Sequence, residues 1–238
     1  MRYQKVLIAF GIVICSHWLA TTVFGATITG TIKYEGDVPK FQEIKMDADP
    51  LCLAKHKEAM FPDTLVLGDG NTLANVFVKV KSGLAKKDYS VPSEPVVLDQ
   101  EGCHYQPHVM VVRVGQPLKI LNPDGTLHNV HALSKVNTEF NLAMPQFRKE
   151  ATHVFDKEED FFPIKCDVHP WMASWCTVIS HPFFSVTQKD GKFAIAGLDA
   201  GTYEIEAWHE KLGTQTISVT VTADETKEAN LTFSRPAK

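Results

Sequence analysis

This sequence predicts an all-β protein. Three observations carry that expectation: short segments alternate apolar and polar side chains at period two, Gly, Pro, Asn and Asp recur between them, and no long stretch shows the periodicity of an amphipathic helix. Regular turn signals with short strands are the pattern of sandwiches, so β-sandwich architecture is expected throughout the mature chain.

The N-terminus stands apart. Met1-Arg2-Tyr3-Gln4-Lys5 is basic, Val6 to Ile14 is apolar, and Val23-Phe24-Gly25 offers a small-residue cleavage site. This is the build of a secretory signal peptide over residues 1–25. Ser16 and His17 interrupt the apolar run, leaving it too short to span a bilayer comfortably, so no membrane span is expected after cleavage. Cys15 follows Ile14 rather than a small residue and does not read as a lipoprotein acceptor. The protein is expected to be periplasmic or secreted. Its formal charge of −4 becomes more negative once Arg2 and Lys5 leave with the signal, which argues against nucleic acid or an anionic membrane as partner.

Thr27–Tyr34 alternates cleanly and ends at Glu35-Gly36-Asp37, a strand and a turn. Residues 38–70, with Pro39, Pro50 and Pro62, read as irregular, with one short helix near Leu53–Met60. Ala74–Val80 is the next alternating strand, and Lys81 to Pro95 is a Lys-, Ser- and Pro-rich crossing. From Val96 strands become denser: His108–Val114 ends at Gly115-Gln116-Pro117, and Leu118–Leu121 ends at Asn122-Pro123-Asp124-Gly125. His128–Leu133 follows, then a looser segment to Glu150, then His153–Asp156. Lys157–Asp160 reads as a solvated acidic turn. Phe161–Lys165 leads into Cys166, and Trp175–Ile179 leads away, so the intervening loop joins two strands. After Pro182 come further short strands separated by Asp190-Gly191 and Ala200-Gly201, ending with Thr216–Val221 and Ala229–Phe233.

The loop Cys166-Asp167-Val168-His169-Pro170-Trp171-Met172 holds the densest chemistry. A thiolate, an imidazole and a thioether follow one another at three-residue steps. These donors suit copper in a trigonal site of two imidazoles and a thiolate with a weak axial thioether. The second imidazole is sought in His128-Asn129-Val130-His131, with His128 preferred and His131 taken as a strand residue. Met110 and Met144 are alternative thioethers ranked below Met172. Pro170 fixes φ and stiffens the loop. Zinc could use the same side chains, but it favours more Cys or His and gains little from Met. His104 and His108 could hold a second metal on weak grounds, and His181 and His209 read as structural. Trp171 could serve as an apolar docking surface or as loop packing. If Cys166 holds metal, Cys52–Cys103 is the favoured bridge and Cys176 a buried thiol; the sequence leaves that connectivity open.

Two resemblances follow from these residues. Pro107–Gly115, His128–His131 and the short Cys-x2-His-Pro-aromatic-Met loop resemble the cupredoxins of the amicyanin and plastocyanin type. The resemblance implies a Greek-key sandwich at 93–181 holding one type 1 copper through His128, Cys166, His169 and, weakly, Met172. It also implies that Asn129 fixes the ligand loop, although Asp167 departs from the Thr usual at its position. The strand, Asp-Gly, strand, Gly-Thr-Tyr pattern after Pro182 resembles the carboxypeptidase regulatory-like, transthyretin-like sandwich. Its first strands are expected at residues 26–85 and the remainder at 182–238, with the copper domain inserted between; two domains in succession is the alternative.

No catalytic constellation competes. Gly-x-Ser-x-Gly, a phosphate loop and a dinucleotide fingerprint are absent, and His209-Glu210-Lys211-Leu212-Gly213 fails the His-Glu-x-x-His pattern. The expected role is therefore not enzymatic. The function expected is transfer of single electrons between redox proteins, a c-type cytochrome or a dehydrogenase being the partner sought. A copper-carrying protein or an interaction module without electron transfer is the alternative.

Overall fold

A computed structural model describes residues 25–235, so the signal-peptide expectation lies outside the described residues except at Gly25. Almost everything regular in it is strand. Strand β1 (Ala26–Glu35) opens the chain, helix α1 (Pro50–Leu53) sits in the irregular segment after it, and β2 (Phe77–Ser82) follows. Next come β3 (Val96–Asp99), β4 (Val109–Arg113), β5 (Pro117–Leu121), β6 (His128–Ala132), β7 (Phe140–Met144), β8 (Glu150–Val154), β9 (Glu159–Lys165) and β10 (Ala173–Ile179). The chain closes with β11 (Phe184–Val186), β12 (Lys192–Leu198), β13 (Gly201–His209), β14 (Gly213–Val221), β15 (Thr226–Glu228) and β16 (Leu231–Ser234).

These strands form two sandwiches. In the outer one, β1 pairs with β12, β15 and β16, while the facing sheet runs β11-β2-β13-β14. Sequence-distant β1 and β2 thus share one core with the C-terminal strands, built on Ile28, Ile32, Val78, Ile205 and Phe233. The period-two alternation of β1 is read directly as burial: every second side chain from Ala26 to Tyr34 is inside. Gly30 lies on the same strand because a Cβ there would meet the Ala229 carbonyl at 2.2 Å and the Phe193 ring at 2.5 Å.

The inner sandwich places the sheet β4-β10-β9-β6-β7 against β3-β5-β8. Strands β4 and β10 run parallel, as do β3 and β5, so these neighbours are joined by crossovers rather than hairpins. Its core gathers Leu98, Tyr105, Leu118, Ile120, Val130 and Phe162. Between the sandwiches lies a third apolar cluster on Phe77, Val109, Val111 and Ile179. There Phe161 stacks on Trp208 with centroids 3.6 Å apart and planes 9° from parallel.

Several elements differ from the sequence reading. The helix expected near Leu53–Met60 is instead the four residues of α1, started by the Asp49 side chain on the Leu51 and Cys52 N–H groups and by Pro50 in the first turn. The strand expected from Ala74 begins at Phe77, because Asn75 is held at φ 61° and breaks extended geometry just before it. The segment before Glu150 contains β7, whose inward and outward residues alternate less plainly in hydrophobicity. Lys157–Asp160 is not a solvated turn throughout. Glu159 opens β9 and is buried, and its carboxylate accepts from Ser134 Oγ, the N–H groups of Lys135, Val136 and Asn137, and Asn137 Nδ2. Burial alone would raise its pKa, but those donors hold it down to about 2.

Among the described residues, no helix is long and apolar enough to cross a membrane.

Candidate metal centre

The centre is assembled from three stretches of chain. Antiparallel β9 and β10 project the connecting loop, whose ends are closed by Cys166 N–H donating to the Met172 carbonyl at 3.1 Å. Met172 N–H donates back to the His169 carbonyl at 3.0 Å. This tight turn aims Cys166 and His169 at the same point. Strand β6 lies beside β9 through the pairs His131–Lys165 and Ala132–Ile164, so the start of β6 brings His128 to the loop.

The side chains converge. His128 Nδ1 lies 3.0 Å from His169 Nδ1, and Cys166 Sγ lies 3.8 Å from His169 Nδ1. Ligand atoms of His128, Cys166 and His169 all fall within 4.8 Å of one another. All three residues are buried, and Met172 is wholly buried in the same core. Met144 sits opposite His128 on β7 and Met110 lies on β4, both inside the core.

The outer nitrogens are both engaged. His128 Nε2 lies 3.0 Å from Asp124 Oδ2, and His169 Nε2 lies 3.0 Å from Asp49 Oδ2. Asp124 is itself fixed by N–H groups of Gly102 and Cys103 and by Lys55 Nζ at 2.7 Å. Burial pushes Asp124 up, yet Lys55, His128 and those N–H groups hold it below the usual carboxylate range. Asp49 is likewise held down against burial, by His169, Thr126 and the first turn of α1. Burial lowers the His128 pKa despite the opposing pull of Asp124, so the neutral ring is favoured. A carboxylate only accepts at ordinary pH, so each Nε2 is the donor in its contact, and both Nδ1 atoms face inward.

Around the thiol, His169 N–H donates to Cys166 Sγ at 3.4 Å. Asn129 Oδ1 accepts from the Asp167 N–H at 2.8 Å and stands 3.3 Å from Cys166 Sγ. The residue beside the remote imidazole therefore ties down the loop. Asp167, which replaces the expected Thr, accepts from Asn129, His131 and Asn141 and pairs with Lys165. Lys165 above all, with Asn141 and His131, holds its carboxyl down to about 2.

His131 points away from the centre to Asp167 and Glu139. His104 pairs with Asp63 and His108 with Glu210. Neither falls within a group of three or more His, Cys, Asp or Glu ligand atoms among the described residues. Cys52 and Cys103 form a disulfide, while Cys166 and Cys176 are free and buried. Burial pushes the Cys176 thiol far up. Trp171 packs within the site region, its Nε1–H donating to the Cys103 carbonyl and its ring centroid 5.0 Å from that of His169.

Asp49 and Asp124 were not anticipated from the sequence. A weak signal existed for each: Asp49 stands before Pro50 as a helix cap, and Asp124 lies in a turn four residues before His128. Neither pattern points to an imidazole until the fold supplies the neighbour.

No protein-family model matches the chain, and no curated protein matches it. Among solved structures it is similar to a copper-containing nitrite reductase from Thermus scotoductus SA-01, at 17% identity and TM-score 0.34. That match covers 42% of this chain and 26% of the reductase, about a quarter of its length. A methionine variant of amicyanin in its Cu(I) form matches at 21% identity and TM-score 0.32, over 42% of this chain and 97% of amicyanin. A purple cupredoxin from Nitrosopumilus maritimus matches at 22% identity and TM-score 0.29, over 35% of this chain and 98% of its own.

Proposed function

We propose that this protein holds one copper ion between His128 Nδ1, His169 Nδ1 and Cys166 Sγ, with Met172 as a weak fourth donor, and exchanges single electrons with redox proteins. One observation carries the reading: two inward imidazole nitrogens meet a buried thiol, with ligand atoms of His128, His169 and Cys166 all within 4.8 Å of one another. A soft cation bound at that point would take one lone pair from each donor. Two nitrogens, one thiolate and a nearby thioether form the donor set that suits copper above zinc.

Bound copper would supply a one-electron couple. The chain's own part is to hold the donors still, because geometry change coupled to electron transfer slows it. Asn129 ties the loop, Pro170 stiffens it, and the carboxylates fix both ring tautomers. The Cys52–Cys103 disulfide supports an oxidising compartment, periplasmic or extracellular. A c-type cytochrome or a dehydrogenase is the kind of partner this chemistry suits. The same reading assigns the outer sandwich to the carboxypeptidase regulatory-like architecture, on its Asp190-Gly191 and Gly201-Thr202-Tyr203 turns.

The experiment is copper loading of the mature protein. Intense visible absorption from thiolate-to-copper charge transfer is expected, and Cys166→Ser should remove it. A colourless Cu(II) adduct of the wild type would overturn the reading.

A second reading is a copper-holding protein that passes its ion on. One observation favours it: His169 is only 2% exposed, covered by the segment carrying Asp49 and Cys52, which lengthens any path for an electron to a docked partner. Fast electron exchange with cytochromes would exclude it, and transfer of Cu(I) to an acceptor protein with sluggish exchange would establish it.

A further inference from the structure

We infer that Asp49 and Asp124 are positioning residues that lock both inward-facing imidazoles and bias the site toward the oxidised, more highly charged ion; this rests on the copper reading above.

The two carboxylates reach the rings from opposite parts of the chain. Asp124 is wholly buried and pinned by two backbone N–H groups and Lys55, leaving Oδ2 fixed on His128 Nε2. Asp49 lies at the edge of the site, its Oδ1 on the Leu51 and Cys52 N–H groups and its Oδ2 between Thr126 Oγ and His169 Nε2. It belongs to a strap outside the inner sandwich, and the Cys52–Cys103 disulfide staples that strap down beside residue 102, next to the Asp124 anchor. Cys52 Sγ comes to 3.6 Å from His169 Nε2, so the strap packs on the very ring it orients.

The physical consequence has two parts. A carboxylate accepting from Nε2–H admits one tautomer and one ring orientation, and it raises the basicity of Nδ1. Added negative charge near a buried cation favours the dication over the monocation, and the effect is stronger inside a protein than in water. Lys55 offsets part of it at Asp124 and has no counterpart at Asp49 among the described salt bridges.

The test uses the mature, disulfide-bonded chain with Asp49→Asn and Asp124→Asn. Each should keep the charge-transfer band and lower Cu(II) affinity by roughly 10–100-fold. Each should raise the reduction potential, by about 59 mV for every tenfold loss of Cu(II) affinity relative to Cu(I). Nitrogen NMR of the metal-free protein provides a second readout. The wild type should show Nε2–H on both rings, with Asp49→Asn perturbing His169 alone and Asp124→Asn perturbing His128 alone. Unchanged potentials with unchanged tautomers in coloured variants would overturn the inference. If Asp124→Asn does not fold, Asp49→Asn decides it, since that residue sits at the site's edge. A colourless wild type would remove the copper reading instead, and the tautomer measurement would still decide the positioning role.

Discussion

The Nδ1 atoms of His128 and His169 stand 3.0 Å apart, while their Nε2 atoms are each held by a carboxylate at 3.0 Å. The two inward nitrogens and the Cys166 thiol therefore converge on one point, the geometry on which the proposed copper site rests.

Binding a soft metal ion should then stabilise the protein markedly. At a hundred times its dissociation constant, any ligand of the folded state adds about 2.7 kcal/mol. For a chain of this size that corresponds to a rise of roughly 5–10 °C in Tm. Thermal melts with and without Cu(I) check this, and His128→Ala should lose most of the increment.

The disulfide should be a main support of the strap. Cys52 and Cys103 are separated by 51 residues, and closing a loop of that length is worth about 4 kcal/mol in the chain-entropy account. The double variant Cys52→Ala and Cys103→Ala should lose stability of that order in denaturant titration. It should also expose His169 to solvent, visible as faster exchange of its ring proton.

Glu159 should make part of the fold's stability acid-sensitive. Its folded pKa of about 2 lies below the ordinary value near 4.3. The stability it contributes is thus present above about pH 4.3 and is lost as pH falls through about 2. Glu159→Gln should cost about 2 kcal/mol at neutral pH, as buried donors lose their charged acceptor, and should flatten the acid limb of the stability curve. Urea unfolding at several pH values reads both effects.

His209 should act over a higher window. Burial lowers its pKa to about 4, and its Nε2 has no hydrogen-bond partner. Above about pH 6.5 the ring is neutral folded or unfolded. Between there and pH 4 the unfolded chain takes up the proton and the folded one does not, so stability falls as pH falls. His209→Phe should remove that slope, as measured by the pH dependence of unfolding between those limits.

Much of this was legible along the chain. The alternation in Thr27–Tyr34 named the buried face of β1, and the turn at Asn122-Pro123-Asp124-Gly125 marked the boundary before β6. Spacing within the Cys166 to Met172 loop grouped its donors, because ligands on one tight turn are neighbours in sequence as well as in space. Segments lacking a local signal were missed: α1 is too short to show periodicity, and Glu159 looked like one more charge in an acidic run.

The sequence by itself determined the strand-rich class and the local donor loop, since period-two burial and tight turns act over a few residues. Only the tertiary structure decided which groups face His128 and His169 from behind. Asp49 is 120 residues from His169, and such a contact leaves no periodic trace along the chain; it exists because β6 pairs with β9 while a disulfide draws the strap across the end of the sandwich.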